Sequence, residues 1–193
     1  QISATPNIGY HFVQWSDGKT KNPRTLELTQ DTILIAEFAL TQSGQCGDNL
    51  YWELIDDTLH ITGTGEMYYY ISETARWKRS IKALCIGESV TSIGDGAFYD
   101  CSSLTSIIIP SSVTSISDYA FYGCSSLTSV TIPESVTSIG DYAFYGCYSL
   151  PVEDNLRYAD TYLVEAVDKT LSTYSIKKGT KWIGEFAFSG CSS

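Results

Sequence analysis

The 193-residue chain has only two histidines, His11 and His60, and they fall on separate candidate strands far apart in sequence. No H-E-x-x-H, C-x-x-C, G-x-S-x-G or glycine-rich phosphate loop occurs, so the usual signatures of metal, redox, acyl-transfer and phosphoryl-transfer enzymes are missing. A non-catalytic chain without a cofactor or metal is expected. Positive charge is scarce: 12 Lys and Arg stand against 22 Asp and Glu, a net charge of -10. A surface of that sign repels phosphate backbones and anionic lipid, which argues against nucleic acid and membrane surfaces as partners. No apolar run approaches the roughly 20 residues of a membrane-spanning helix. Direct membrane insertion is therefore not expected.

Charged residues make up only 18 % of the chain, whereas hydrophobic residues make up 43 %, enough for a sizeable core. The length suits one domain or two small ones. Tyrosine supplies 14 of the aromatic side chains, against 7 Phe and 4 Trp, and Ser and Thr carry much of the polarity. The chain opens at Gln1 without a signal peptide. It stops at Cys191-Ser192-Ser193, a point from which earlier copies of the same pattern run on into a strand. A piece of a longer protein is expected.

Three segments are nearly identical: Ser89–Cys101, Ser112–Cys124 and Ser135–Cys147. Their cysteines are 23 residues apart, and Cys191 follows after 44, one period plus 21. Ile86, Ile109, Ile132 and Ile176 keep the same steps. A fixed period of this size marks a solenoid with one coil per repeat, in which each coil contacts only its neighbours. Copies stay alike because each is the mould for the next.

Within a coil, Leu127, Val130 and Ile132 read as a short strand with inward side chains, ended by Pro133, which has no N–H to donate. Val136 and Ile139 turn inward next. Asp141–Cys147 reads as one helical or 3₁₀ turn, with Asp141 as N-cap and Gly146 as terminator. Ala143 and Phe144 are expected inside, Tyr142 and Tyr145 outside. The pattern L-x-x-V-x-I-P…V-T-x-I-G-x-x-A-F-x-G-C resembles the BspA-like leucine-rich repeat of bacterial surface proteins over residues 81–193. Two departures stand out. The first coil has Ile86-Gly87 in place of Ile-Pro, and the last has Thr180 for Val and Trp182 for Ser.

An insertion near residues 151–170 alternates polar and apolar side chains. Leu156–Tyr158 and Tyr162–Val164 are expected to pair as a hairpin around Ala159-Asp160-Thr161 that protrudes and breaks the flatness of the array. Residues 46–80 lie outside the period. Leu50–Ile55 and Thr58–Thr62 form a second expected hairpin, whose Trp52, Leu54, Leu59 and Ile61 close the amino-terminal end of the solenoid as a cap. Trp77 and the residues up to Ser80 lead into the first coil. Residues 1–40 read as a separate unit of three β-prone runs with a core of Tyr10, Phe12, Trp15, Ile33, Ile35 and Phe38. The string G-Y-x-F-x-x-W-x-D-G…N-P-R-T…A-x-F is similar to the internalin B-type repeat, which implies a β-grasp-like fold. Thr41–Gln45 reads as a linker. The fold class is thus mostly β with short helical or 3₁₀ turns: a leucine-rich-repeat solenoid, an amino-terminal β cap and a small β-grasp-like module.

Cys101, Cys124, Cys147 and Cys191 share one inward phase and read as a ladder of buried thiols. Cys46 and Cys85 either pair or stay free. Asp95, Asp118, Asp141 and Glu185 recur in one phase, one carboxylate per coil, where Ca²⁺ takes six to eight oxygens; caps are favoured over a calcium ladder. Tyr99, Tyr122 and Tyr145 form one outward column and Tyr119 and Tyr142 another, with Tyr148 and Trp182 extending the patch. Such rows suit a protein surface or sugar rings, because Tyr offers large contact area at low entropy cost. They equally suit simple packing of ring on ring. The strand face, with Ser106, Ile108, Ser129, Thr131, Thr173 and Ser175, is flat and offers no pocket. The resemblance implies an extracellular or cell-surface protein of bacteria that binds a protein, matrix or glycan partner. A structural spacer, or the targeting portion of a larger surface enzyme, is the alternative.

Overall fold

The computed structural model describes residues 1–7, 10–27, 31–40, 42–68 and 81–192. Trp77 and the stretch up to Ser80 lie outside the described residues. Described residues contain strands and turns but no helix.

In the amino-terminal unit, β1 (Tyr10–Trp15) pairs antiparallel with β2 (Ala36–Leu40), with a bulge between Phe12 and Gln14. The middle run contributes a single bridge, Ile2 to Arg24. The core here is smaller than expected. Trp15 is buried, and Phe12 meets it at 5.4 Å and Phe38 at 6.1 Å. Arg24 completes this core, its guanidinium 5.3 Å from the Trp15 ring centre and 2.9 Å from the Asp17 carboxylate. Tyr10, Ile33, Ile35 and Phe38 are exposed, Ile33 at 89 %. The two isoleucines precede β2, and Ile35 is tied to Ser16 by its backbone, its carbonyl accepting the Ser16 N–H at 2.8 Å, with its side chain left outside.

Of the residues read as a linker, Gln42, Ser43, Gly44 and Gln45 are strand. β3 (Gln42–Gly47) runs antiparallel to β4 (Asn49–Ile55), which pairs in turn with β5 (Thr58–Glu66). Gln, Ser and Gly looked like linker because they offer no apolar alternation. A ladder needs only backbone groups, and Gly44 lies so close under the Trp52 indole that a Cβ there would meet Nε1 at 2.7 Å. Leu50, Trp52, Leu59 and Ile61 are buried in the same core as the coils.

β5 joins cap to solenoid by serving two layers. Its first half pairs in parallel with β6 (Ala83–Ile86), its last two residues with β7 (Val90–Ile93). Gly63 and Gly65, at φ +105° and +103°, let it turn between the layers, and a Cβ at Gly63 would run into the Asn49 carbonyl. Gly87 explains the first departure from the repeat: its N–H donates to Ile61 O at 2.9 Å, a bond that Pro lacks the hydrogen to make.

In the following coils, β8 (Ser106–Ile108), β9 (Ser115–Ile116), β10 (Ser129–Thr131) and β11 (Ser138–Ile139) stack in parallel, β10 on β8 and β11 on β9, each one period from its partner. Thr128 and Thr137 hydroxyls donate to the Thr105 and Thr114 carbonyls of the coil before, so Thr recurs beside the strands. Phe98, Phe121 and Phe144 form one fully buried file, with ring centres 5.2 and 5.3 Å apart and planes within 16° and 8°. Cys101, Cys124 and Cys147 are buried beside them, and the Cys124 and Cys147 thiols each donate to a Phe carbonyl at 3.2 Å.

The segments before Cys101 and Cys124 are not helices, because alternate N–H groups leave the coil. Tyr119, Phe121 and Gly123 donate to the Asp141, Ala143 and Tyr145 carbonyls of the next coil at 2.8–2.9 Å. Tyr122 and Cys124 instead close i to i−3 turns within their own coil. Half the donors that would build a helix are committed to the stack. Gly123 and Gly146 end these turns at φ +72° and +78°.

The insertion does not protrude. After β12 (Val152–Glu153), β13 (Leu156–Ala159) and β14 (Tyr162–Ala166) form the hairpin around Asp160 and Thr161, and both strands are buried. β14 then pairs in parallel with β15 (Trp182–Ile183) of the last coil. It occupies the place of a coil strand, and Tyr162 takes the position after Phe144 in the aromatic file, 5.7 Å away. Arg157 anchors the hairpin. It donates to the Tyr148 carbonyl, to Leu150 O at 2.9 Å and to Glu165 at 3.0 Å.

The displaced last coil departs from the expected phase. Asp160 accepts the Ile132 N–H at 2.8 Å, where in the coil before Thr131 O accepts that of Ile109. The strand layer is cut there, so Thr173 and Ser175 are not in a strand and Ile176 is 46 % exposed. Cys191 is only half-buried, in a second small core with Leu156, Tyr158, Leu163 and Ala187.

Candidate functional site

The turn before each cysteine projects two side chains outward, at positions five and two residues before it. The first position holds Gly96, Tyr119 and Tyr142, all at positive φ (58°, 55° and 54°). Left-handed backbone costs a residue with a Cβ roughly 1–2 kcal/mol, so only the glycine adopts it freely. The second holds Tyr99, Tyr122 and Tyr145, whose N–H groups donate back into the turn; for Tyr122 and Tyr145 the acceptors are Tyr119 O and Tyr142 O, at 3.1 Å.

Stacking of coils turns these positions into two columns. Tyr99 and Tyr122 lie 4.8 Å apart and 7° from parallel, and Tyr145 continues at 5.7 Å and 27°. Tyr119 and Tyr142 stack at 5.2 Å and 13°. A tilted contact at 5.9 Å (Tyr119 with Tyr122) and an edge-to-face one at 5.7 Å (Tyr142 with Tyr145) join the columns. Tyr122 is therefore covered by a ring on each face, while Tyr119, next to the ringless Gly96, is not. Tyr119 remains 41 % exposed.

The next ring in the second column is Phe186, stacked on Tyr142 at 4.4 Å and 14°. Sequence reading missed it, although counting five residues back from Cys191 finds it. Trp182, expected in the patch, stands instead on β15 opposite Tyr162, half-buried against the interior, with Lys181 Nζ 5.8 Å from its ring centre. Tyr148 joins neither stack. It is 61 % exposed, with the Arg157 guanidinium 5.9 Å from its ring centre.

Burial raises the Tyr122 and Tyr142 hydroxyl pKa values, and neighbouring hydroxyls and carboxylates add to the shift. Both are hydrogen-bond donors throughout the physiological range. Glu185, next to Phe186, hydrogen-bonds the Asp141 carboxyl and feels its charge, so it holds its proton above the usual carboxylate range. Asp118 does not cap its own turn; its Oδ1 accepts the Asp141 N–H of the next coil at 2.8 Å. Among the described residues, no three His, Cys, Asp or Glu side chains are grouped to hold a metal. Cys46 is buried and Cys85 exposed, both free. Ser106, Ile108, Ser129 and Thr131 line an exposed flat face on β8 and β10.

The BspA type leucine rich repeat region model matches residues 70–193 in six copies. This chain belongs to the BspA-type leucine-rich-repeat family. The divergent InlB B-repeat domain model matches residues 1–42, ahead of the leucine-rich repeats. No curated protein matches the chain at a significant level. Among solved structures, a leucine-rich repeat protein from Eubacterium ventriosum is 21 % identical over 79 % of this chain and 58 % of its own, with a TM-score of 0.47. One from Bacteroides ovatus is 37 % identical over 38 % of this chain and 20 % of its own (TM-score 0.37). A leucine rich cell surface protein from Faecalibacterium prausnitzii is 26 % identical over 55 % of this chain and 38 % of its own (TM-score 0.39). The chain thus spans 58 % or less of the length of each of these proteins. No helix of the described residues is long and apolar enough to cross a membrane.

Proposed function

We propose that this chain is a non-catalytic recognition module of a bacterial surface protein, and that it contacts an extracellular protein through the paired tyrosine columns. The observation that carries this reading is the pair Tyr119 and Tyr142. Tyr119 holds a 41 % exposed ring and Tyr142 a half-buried one, both on left-handed backbone, in a turn that Gly96 makes without strain in the first coil. The turn itself does not need an aromatic there, and strained outliers of this kind concentrate at functional sites. Tyr122 and Tyr142 carry stacked rings on both faces, which leaves a sugar ring few faces to stack on and favours a protein surface over a glycan.

The test is a screen of matrix proteins and glycans against this fragment and its Tyr122→Ser/Tyr145→Ser variant. A protein partner is expected to bind the parent and to lose most of its affinity for the variant, while the circular dichroism spectrum is unchanged. Binding that is indifferent to both substitutions, or no binding at all, refutes the reading in favour of a spacer.

A further inference from the structure

β5 leaves the cap at Thr64, its last residue paired with β4, and crosses to coil one, where Gly65 and Glu66 pair with β7. The crossing chain is wedged between two glycines. A Cβ at Gly47 would meet Glu66 O at 2.2 Å, and one at Gly94 would meet Tyr68 O at 2.2 Å. The Tyr68 N–H donates to Cys46 O at 2.7 Å and that of Gly65 to Ser89 O at 3.1 Å. A hollow opens on each side. The first, of about 320 Å³, lies at the start of β4 and is lined by Asp48, Asn49, Thr64 and Tyr68. The second, of about 270 Å³, lies against β7 and β9 and is lined by Ser92, Asp95, Ser115 and Ser117. Glu66 and the buried Met67 line both, so the two bays form one trench, open to solvent. Sites for small molecules run to about 300–1,000 Å³, and the two bays together fall in that range.

The lining selects the ligand. Among the described residues no Lys, Arg or His lines either bay, so an anion is repelled. A metal ion is not held, since among the described residues no three acidic, His or Cys side chains are grouped for one. An apolar peptide side chain finds only Met67 to pack on. Carboxylates stand in both bays with hydroxyls and the Asn49 amide among them, and each carboxylate accepts two neighbouring hydroxyls at once. Such a wall pairs with a ligand that is rich in hydroxyls and carries no charge. Tyr68 supplies the apolar flank. It is 43 % exposed, stacks on no other ring among the described residues, and donates its hydroxyl to Asp48 at 3.0 Å, which fixes the ring. We infer that this trench is a second binding site and takes an uncharged saccharide, one ring in each bay, with Glu66 between them as acceptor. Its walls are backbone already held from both sides, so little remains to be ordered on binding. The trench shares no residue with the tyrosine columns, and the inference goes beyond the recognition reading above.

Titration of disaccharides into the isotope-labelled chain, read as backbone amide shifts in NMR spectra, tests it. Lactose, maltose and cellobiose are the neutral probes, digalacturonate the anionic control and calcium chloride the metal control. At least one neutral disaccharide is expected to shift the Gly65, Glu66 and Gly94 amides in the millimolar range, and digalacturonate to leave them in place. Glu66→Ala should weaken that binding about tenfold, the scale of one lost charge-assisted hydrogen bond, and Glu53→Gln, an exposed acid elsewhere on β4, less than about twofold. Thr64→Trp, which fills the first bay from an exposed position, should abolish it, with unchanged thermal melts. Failure of all three neutral probes, shifts that map elsewhere, equal binding of digalacturonate, or equal losses from Glu66→Ala and Glu53→Gln would overturn the trench. So would calcium alone producing the same shifts. The Tyr122→Ser/Tyr145→Ser variant should bind the saccharide unchanged, so the protein arm of the screen alone decides the column reading. A protein partner lost with that variant while every saccharide fails refutes the trench and leaves the columns standing; a saccharide bound here while no protein is found does the reverse.

Discussion

Replacing Phe121 by Ala should be among the most damaging single changes in this chain. The ring is fully buried and lies between Phe98 and Phe144 at 5.2 and 5.3 Å. Truncating a buried Phe costs about 3–5 kcal/mol in lost transfer energy and cavity. Two stacked neighbours are stranded at once, and each aromatic pair adds about 0.5–1.5 kcal/mol beyond its area, which places Phe121→Ala at the upper end. The cavity cannot close easily, because the Phe121 N–H to Ala143 O bond and its counterparts pin the coil spacing. Tyr122→Ala, one residue on, removes a half-exposed ring with two stacking partners and leaves no internal void. It should cost about 1–3 kcal/mol, the stacking alone. Solenoids unfold through nearest-neighbour coupling, so urea melts read by Trp fluorescence should be joined by hydrogen exchange at coil-two amides. A Phe121→Ala loss below about 2 kcal/mol, or one equal to that of Tyr122→Ala, would refute the single-file interior.

Gly146→Ala places a Cβ on left-handed backbone at φ +78° and 3.2 Å from Gly123, and a loss of about 1–2 kcal/mol is expected in the same melts. Arg157→Met leaves the Glu165 carboxylate and two carbonyls without their donor; a loss of about 3–5 kcal/mol is expected, and adding Glu165→Leu should recover much of it. Iodoacetamide on the native protein at mildly alkaline pH should label Cys85 fast. Cys46, whose thiol is pushed up to about 11 by burial, and Cys101, Cys124 and Cys147 should react only after unfolding, as mass spectrometry of peptides will show. Fast labelling of Cys124 in the folded protein would contradict its place inside the stack.

The sequence by itself determined the period, the inward phase of Ala and Phe, the outward phase of the tyrosines and the need for a cap. Each of these follows from contacts between a coil and its identical neighbour, and identical neighbours write the same residues at the same spacing. Tertiary structure alone decided the rest. Gln42–Gly47 becomes a strand because β4 has an edge to pair, a backbone property that side chains do not advertise. The turns before Cys101 and Cys124 fail to be helices because alternate donors are spent on the next coil. The hairpin is buried, Ile176 surfaces and Trp182 turns inward because β14 enters the stack where a coil strand would lie. That choice depends on which distant surface the insertion finds, and no local pattern encodes it.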